Sequence, residues 1–174
     1  MSACPQCGFA NISGVDECEQ CGQPLDDQYL SEPASEVERS LLQDRVGILE
    51  PRPAITLPPS ATVDEALKLL AKHQIGCILI TEEGKLLGIF SERDALFRIG
   101  ADVDRLRTCP VSEFMTPKVQ TLDPQAKIAY AVHMMDLGHY RHVPIVREDG
   151  VVVGIISVRD ILRYLTERMG LTAA

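Results

Sequence analysis

Gly88-Ile89-Phe90-Ser91-Glu92-Arg93-Asp94 returns 66 residues later as Gly154-Ile155-Ile156-Ser157-Val158-Arg159-Asp160, with five of seven positions identical. Self-similarity at a fixed spacing marks a repeat architecture, in which each unit needs its neighbour to bury an apolar face. Outward from this pair, Thr56 matches Thr121, Val63 matches Ile128 and Gly76 matches Arg141, each 65 residues apart. Two copies are therefore expected, one over residues 51–108 and one over residues 109–174.

Each copy carries the same run of periodicities. Thr62 can cap a helix whose apolar positions Val63, Ala66, Leu67 and Leu70 share one face at 3.6-residue spacing. Residues 75–81 then read as a strand, 83–85 as a turn and 86–90 as a second strand, and Ser91 opens a helix through Ala95, Leu96 and Ile99. In the second copy Ile128, Ala131, Val132 and Met135 form the helix face, residues 142–146 and 151–156 the strands, and Asp149-Gly150 the turn. A last helix runs to about residue 169. Two such units, each helix, strand, hairpin turn, strand and helix, give an α+β pair with approximate two-fold symmetry.

The 174 residues suffice for one or two domains, and 45% hydrophobic with 24% charged residues is the balance of a globular protein. With 17 basic against 25 acidic residues the net charge is -8, which argues against binding nucleic acid or an anionic membrane surface. The apolar runs are strand-sized and the N-terminus lacks the pattern of a signal peptide, so a cytoplasmic protein is expected. Absence of P-loop, zincin and nucleophile-elbow patterns leaves no reaction to propose, and a non-enzyme is expected. His139 and His142 have ligand-like spacing, but no third ligand stands near them in sequence, so packing or phosphate contact is the better reading of His142.

Before the repeats lie two pieces of different character. Residues 26–50 read as an acidic linker with a helix, where Ser35 and Glu38 have capping-box spacing ahead of Val37, Leu41 and Leu42. Residues 1–25 have little periodic hydrophobicity but hold Cys4-Pro5-Gln6-Cys7-Gly8 and Cys18-Glu19-Gln20-Cys21-Gly22. Two C-x-x-C knuckles followed by glycine can direct four thiolates at one ion, a closed structural site whose binding free energy folds the segment. Redox cysteines or two local disulfides are the alternatives, and a four-cysteine iron centre uses the same ligands. The segment resembles short zinc ribbons, which implies a structural zinc on Cys4, Cys7, Cys18 and Cys21. Asp16, Glu17 and Glu19 with no Lys or Arg favour contact with a protein over nucleic acid.

Taken alone, Ser91 and Asp94 are a capping box, which any helix start can use. Its double occurrence with a fixed Gly and Arg suggests a binding site as well. A carboxylate accepts both hydrogens of a ribose diol, while a serine, a helix N-terminus and an arginine suit phosphate.

Residues 51–169 resemble a tandem pair of CBS domains, a Bateman module. The likeness rests on Thr56 and Thr121 ahead of the helix starts, Phe114-Met115-Thr116-Pro117, Arg141-His142-Val143-Pro144-Ile145-Val146, and both G-x-x-S-x-x-D segments. It implies two clefts that take AMP, ADP, ATP or S-adenosylmethionine. One would be built from Thr56, Gly76, Cys77, Ile78, Ser157, Arg159 and Asp160. The other would use Thr121, Tyr140, Arg141, His142, Val143, Ser91, Arg93 and Asp94. Gly76 and Cys77 stand where the second copy has Arg141 and His142, so unequal sites are expected, with the Asp94 cleft preferring more phosphate. The resemblance further implies a homodimer and a regulatory module that passes the nucleotide state to an unknown partner. The rival is a scaffold with empty clefts, dimerising through the repeats and docking through the ribbon.

Overall fold

A computed structural model describes residues 2–4, 6–11, 17–23, 25 and 35–171; the acidic opening of the linker, residues 26–33, lies outside them together with Pro5, Asp16 and Pro24. In chain order the first elements are β1 (Ser2–Ala3), β2 (Ala10–Asn11), α1 (Glu36–Gln43), β3 (Thr56–Leu57), α2 (Val63–His73), β4 (Cys77–Glu82), β5 (Lys85–Ser91) and α3 (Glu92–Asp94). There follow α4 (Val103–Leu106), β6 (Thr116–Pro117), α5 (Ile128–Gly138), β7 (His142–Val146), β8 (Val152–Ser157) and α6 (Val158–Arg168). The chain divides into two compact units: Met1–Glu50 with Pro124–Arg141 and Val158–Ala174, and Pro51–Asp123 with His142–Ser157.

The second of these units contains the strands of both repeats. Parallel β3 and antiparallel β5 flank β4, and β6 closes the sheet on β5, giving the order β3-β4-β5-β6. The second hairpin, β7-β8, has the same neighbours in reduced form: Leu122 bridges Ile145 in parallel and Arg52 bridges Ile155 antiparallel. The residues leading each repeat therefore cross to the other repeat's hairpin, Arg52 to Ile155 and Thr116 to Ile89. Both hairpins shift register at matching points, after Ile80 and after Ile145.

Glycine at the head of each motif copy follows from this crossing. A Cβ on Gly88 would lie 2.6 Å from Met115 Sδ and 2.8 Å from the Thr116 carbonyl, and one on Gly154 would lie 2.7 Å from the Arg52 carbonyl. Only a residue without a side chain lets the leading strand approach so closely.

Helix α2 forms as its sequence predicts. Thr62 accepts the Glu65 N–H at 3.2 Å and Glu65 Oε2 accepts the Thr62 N–H at 2.7 Å, a complete capping box. Val63, Ala66 and Leu70 are buried against Ile78, Ile80, Phe90, Ile99 and Val111, with Leu67 at the margin. Each fully buried aliphatic or aromatic side chain contributes about 1.5–3 kcal/mol.

The segment after Ser91 departs from the expected regular helix. Three α-helical residues are followed by a π turn, Ala95–Ile99, and Gly100 ends it at φ 48°. Arg98 reaches across to the Phe114 carbonyl at 3.0 Å, the Met115 carbonyl at 2.5 Å and Thr116 Oγ1 at 3.2 Å. The wider turn puts Ile99 in the core and turns Leu96 and Phe97 outward, 67% and 75% exposed, so Leu96 does not join the buried face.

In the other unit α1 packs on α5, α5 on α6, and α6 on a 3₁₀ turn at Val46–Leu49. Ser35 Oγ accepts the Glu38 N–H at 3.1 Å and starts α1 where the linker helix was expected. On α5 the buried residues are Ile128, Ala131, Met134 and Met135; Val132 is exposed, because the face turns toward i+6 and i+7 and leaves i+4 at its edge. Among the described residues no helix is long and apolar enough to cross a membrane.

Candidate functional site

The N-terminal cysteines are brought together. Each knuckle repeats one geometry: Gly8 N–H donates to the Cys4 carbonyl and Gly22 N–H to the Cys18 carbonyl, both at 2.8 Å, with φ of 73° and 69° at the two glycines. All four sulfurs lie within 4.8 Å of one another, Cys4 to Cys21 at 3.7 Å and Cys7 to Cys18 at 3.5 Å. Ligands 2.3 Å from a tetrahedral zinc stand about 3.8 Å apart, so this donor set fits one ion. Burial opposes ionisation of Cys18, but the Cys21 and Gln20 N–H groups and neighbouring thiols bring it down to about 6. At Cys21 the Gln23 N–H is outweighed by burial and the other three sulfurs, which push it up to about 12.

At the first motif copy the capping box is complete. Asp94 Oδ2 accepts the Ser91 N–H at 2.9 Å and the Ser91 hydroxyl at 2.6 Å, while Ser91 Oγ accepts the Asp94 N–H at 3.2 Å. Its other oxygen, Oδ1, accepts the Thr116 hydroxyl at 3.0 Å and faces Arg98 Nε at 3.4 Å. A carboxylate has about four lone-pair sites, and three of them accept hydrogen bonds here, with Arg98 as an ion-pair partner beside them. Asp94 is 8% exposed. Arg93 does not reach this carboxylate's partners; it lies over the exposed Phe97 ring at 5.9 Å. Arg98 and Thr116 are thus site residues that the motif itself does not announce, although Arg98 was legible as an i+4 partner of Asp94.

The neighbouring strand start is shaped by glycine. A Cβ on Gly76 would lie 2.5 Å from His142 Cε1, 2.9 Å from its Nε2 and 3.6 Å from Glu92 Oε2, so the imidazole rests on bare backbone. Cys77, Ile78 and Val143 are buried, Thr56 and Thr121 exposed. Burial, then the charges of Glu92 and Asp94, pushes the Cys77 thiol up to about 12. A thiol so held is inert.

At the second copy Ser157 is 6% exposed and accepts from Arg52 Nη2 at 3.4 Å. In the helical unit, Asp160 is 3% exposed with Arg163 Nη2 3.6 Å from its Oδ1, and Arg163 also donates to the Leu49 carbonyl at 3.5 Å. Farther along α6, Tyr164 Oη and Arg168 Nη2 donate to Asp44 Oδ2 at 2.8 and 2.6 Å. Tyr140, Arg141 and Arg159 are exposed, and the Arg141 carbonyl accepts the Val158 N–H at 3.1 Å. In both copies, therefore, the buried aspartate faces an arginine later on its own helical segment.

The family model described as CBS domain matches residues 49–101 and 111–167. An uncharacterized 17.7 kDa protein of Acidianus ambivalens is 30% identical over 63% of this chain, a match spanning 65% of that protein. The CBS domain protein PAE2072 of Pyrobaculum aerophilum, solved with AMP, is 28% identical and covers 74% of this chain and 100% of its own, with a TM-score of 0.63. The CBS domain pair of protein MJ0100, solved with 5'-methylthioadenosine and S-adenosyl-L-methionine, is 28% identical over 72% of this chain and 98% of its own, at a TM-score of 0.62. Duplicated hairpins, crossed leading strands and a matching family model over both repeats agree, and the chain belongs to the CBS domain family as a tandem pair preceded by a four-cysteine segment.

Proposed function

We propose that this protein is a non-catalytic regulatory module whose CBS pair binds an adenine nucleotide of the AMP, ADP or ATP class and passes the ligand state to a partner protein or a second copy. The observation that carries the reading is the pair of buried aspartates at matched motif positions, Asp94 bonded to Ser91 with Arg98 at 3.4 Å and Asp160 with Arg163 at 3.6 Å. Burying a carboxylate is costly unless hydrogen bonds and an opposite charge compensate it. Relatives solved with AMP and with S-adenosyl-L-methionine support an adenosine ligand. Thr56, Gly76, Cys77, Ile78, Ser157, Arg159 and Asp160 would serve one nucleotide, and Thr121, Tyr140, Arg141, His142, Val143, Ser91, Arg93 and Asp94 the other. A nucleotide shifts the module only by its different affinity for two arrangements.

Cys4, Cys7, Cys18 and Cys21 would hold a structural zinc, and the acidic ribbon would serve as the contact for a protein partner. Exposed Leu96 and Phe97, beside a groove of about 760 Å³ lined by Leu67, Leu70 and Ala71, offer a surface for a second copy.

One observation favours the scaffold reading at the first motif: Asp94 already accepts three hydrogen bonds within the chain and pairs with Arg98. A thermal-shift screen with AMP, ATP and S-adenosylmethionine separates the two. A ligand at 100 times its Kd adds about 2.7 kcal/mol of stability. No shift with any of them rejects the regulatory reading.

A further inference from the structure

We propose that Arg52 is the phosphate-binding cation on the Ser157 side of the CBS pair and makes that side prefer a nucleotide to a nucleoside; this rests on the adenine-nucleotide reading. By sequence this side has fewer basic side chains than the other, because Gly76 and Cys77 stand where the second copy has the basic pair Arg141-His142. The crossed leading strand supplies one from elsewhere. Arg52 is fixed by two backbone hydrogen bonds with Ile155, at 3.1 and 2.9 Å, over the bare backbone of Gly154. Arg52 is an exposed residue, and its guanidinium reaches Ser157 Oγ at 3.4 Å.

The matched position in the other hairpin is Thr116, which faces Ile89 as Arg52 faces Ile155. Thr116 spends its hydroxyl on Asp94. Exchange of a neutral hydroxyl for a guanidinium at equivalent places makes the two halves differ in charge, and in the opposite sense to that expected from Gly76 and Cys77. Guanidinium presents a planar fork of donors that matches phosphate oxygens two at a time, and the serine hydroxyl beside it adds a further donor.

Calorimetry of the full chain with AMP and with adenosine tests this. Arg52→Gln is expected to weaken AMP at one site about ten- to hundredfold and to leave adenosine within about twofold, as loss of a charge-assisted bond requires. Arg52→Lys keeps the charge but not the fork and is expected to lose AMP affinity severalfold, so the proposal stays testable if the glutamine variant folds poorly. Equal loss of AMP and adenosine, or no loss in either variant, overturns the role of Arg52 alone. If the unaltered chain binds neither compound, the nucleotide reading and this inference fall together.

Discussion

The imidazole of His142 rests on the backbone of Gly76, with Cε1 only 2.5 Å from where a methyl group would stand. Gly76 directly precedes β4 and His142 is the first residue of β7, so bare backbone ahead of one repeat's strand makes room for a side chain of the other repeat. Gly76→Ala is therefore expected to displace the ring and cost about 1–3 kcal/mol, as overpacking does. Urea unfolding with an unchanged slope measures it. An alanine variant as stable as the parent would show that His142 moves away freely.

Much of this architecture was legible in the sequence. The 66-residue echo revealed the repeats, and Thr62 with Glu65 the start of α2. Side-chain partners one helical turn away, Arg98 for Asp94 and Arg163 for Asp160, follow from helix geometry as well. Strand exchange was not legible: Arg52 and Ser157 are 105 positions apart, and no local pattern announces that a leading strand pairs with the other repeat. The same exchange explains why Gly88 and Gly154 are glycine, a feature that looked functional when read without the fold. The π turn at Ala95–Ile99 also escaped, since it is stabilised by Arg98 reaching carbonyls 16 and 17 residues downstream.

One zinc per chain is expected by elemental analysis of the purified protein, and cobalt substitution should give the spectrum of a tetrahedral thiolate site. Because metal binding is what folds a segment of this size, chelation is expected to make residues 1–25 sensitive to protease while the repeats survive. Iron in place of zinc, or no metal at all, would refute the structural-zinc reading.

Burial, followed by its hydrogen bond to Asp44, holds the Tyr164 hydroxyl above its usual range. A raised folded value means that the contribution is complete below about pH 10 and is lost as pH rises beyond it through the folded value. Tyr164→Phe is expected to cost about 1 kcal/mol near neutrality and to flatten the stability loss above pH 10. Denaturation across that range in both proteins checks the sign; parallel curves would rule out the Asp44 contact as its source.

Cys77, held near 12 and buried, is expected to stay a thiol at pH 8. Under native conditions a thiol reagent should modify it only as fast as the protein opens, and at the ordinary rate in denaturant. Rapid native labelling of Cys77, located by peptide mapping, would contradict its inert assignment.

The most direct test of the central claim is calorimetry of AMP binding to the unaltered chain and to Asp94→Asn and Asp160→Asn, each first shown to fold by circular dichroism. The expected result is saturable binding to the parent and affinity about ten- to hundredfold weaker in at least the Asp160 variant, the loss of charge-assisted bonds to the ribose. AMP bound equally by all three proteins, or by none, would contradict it.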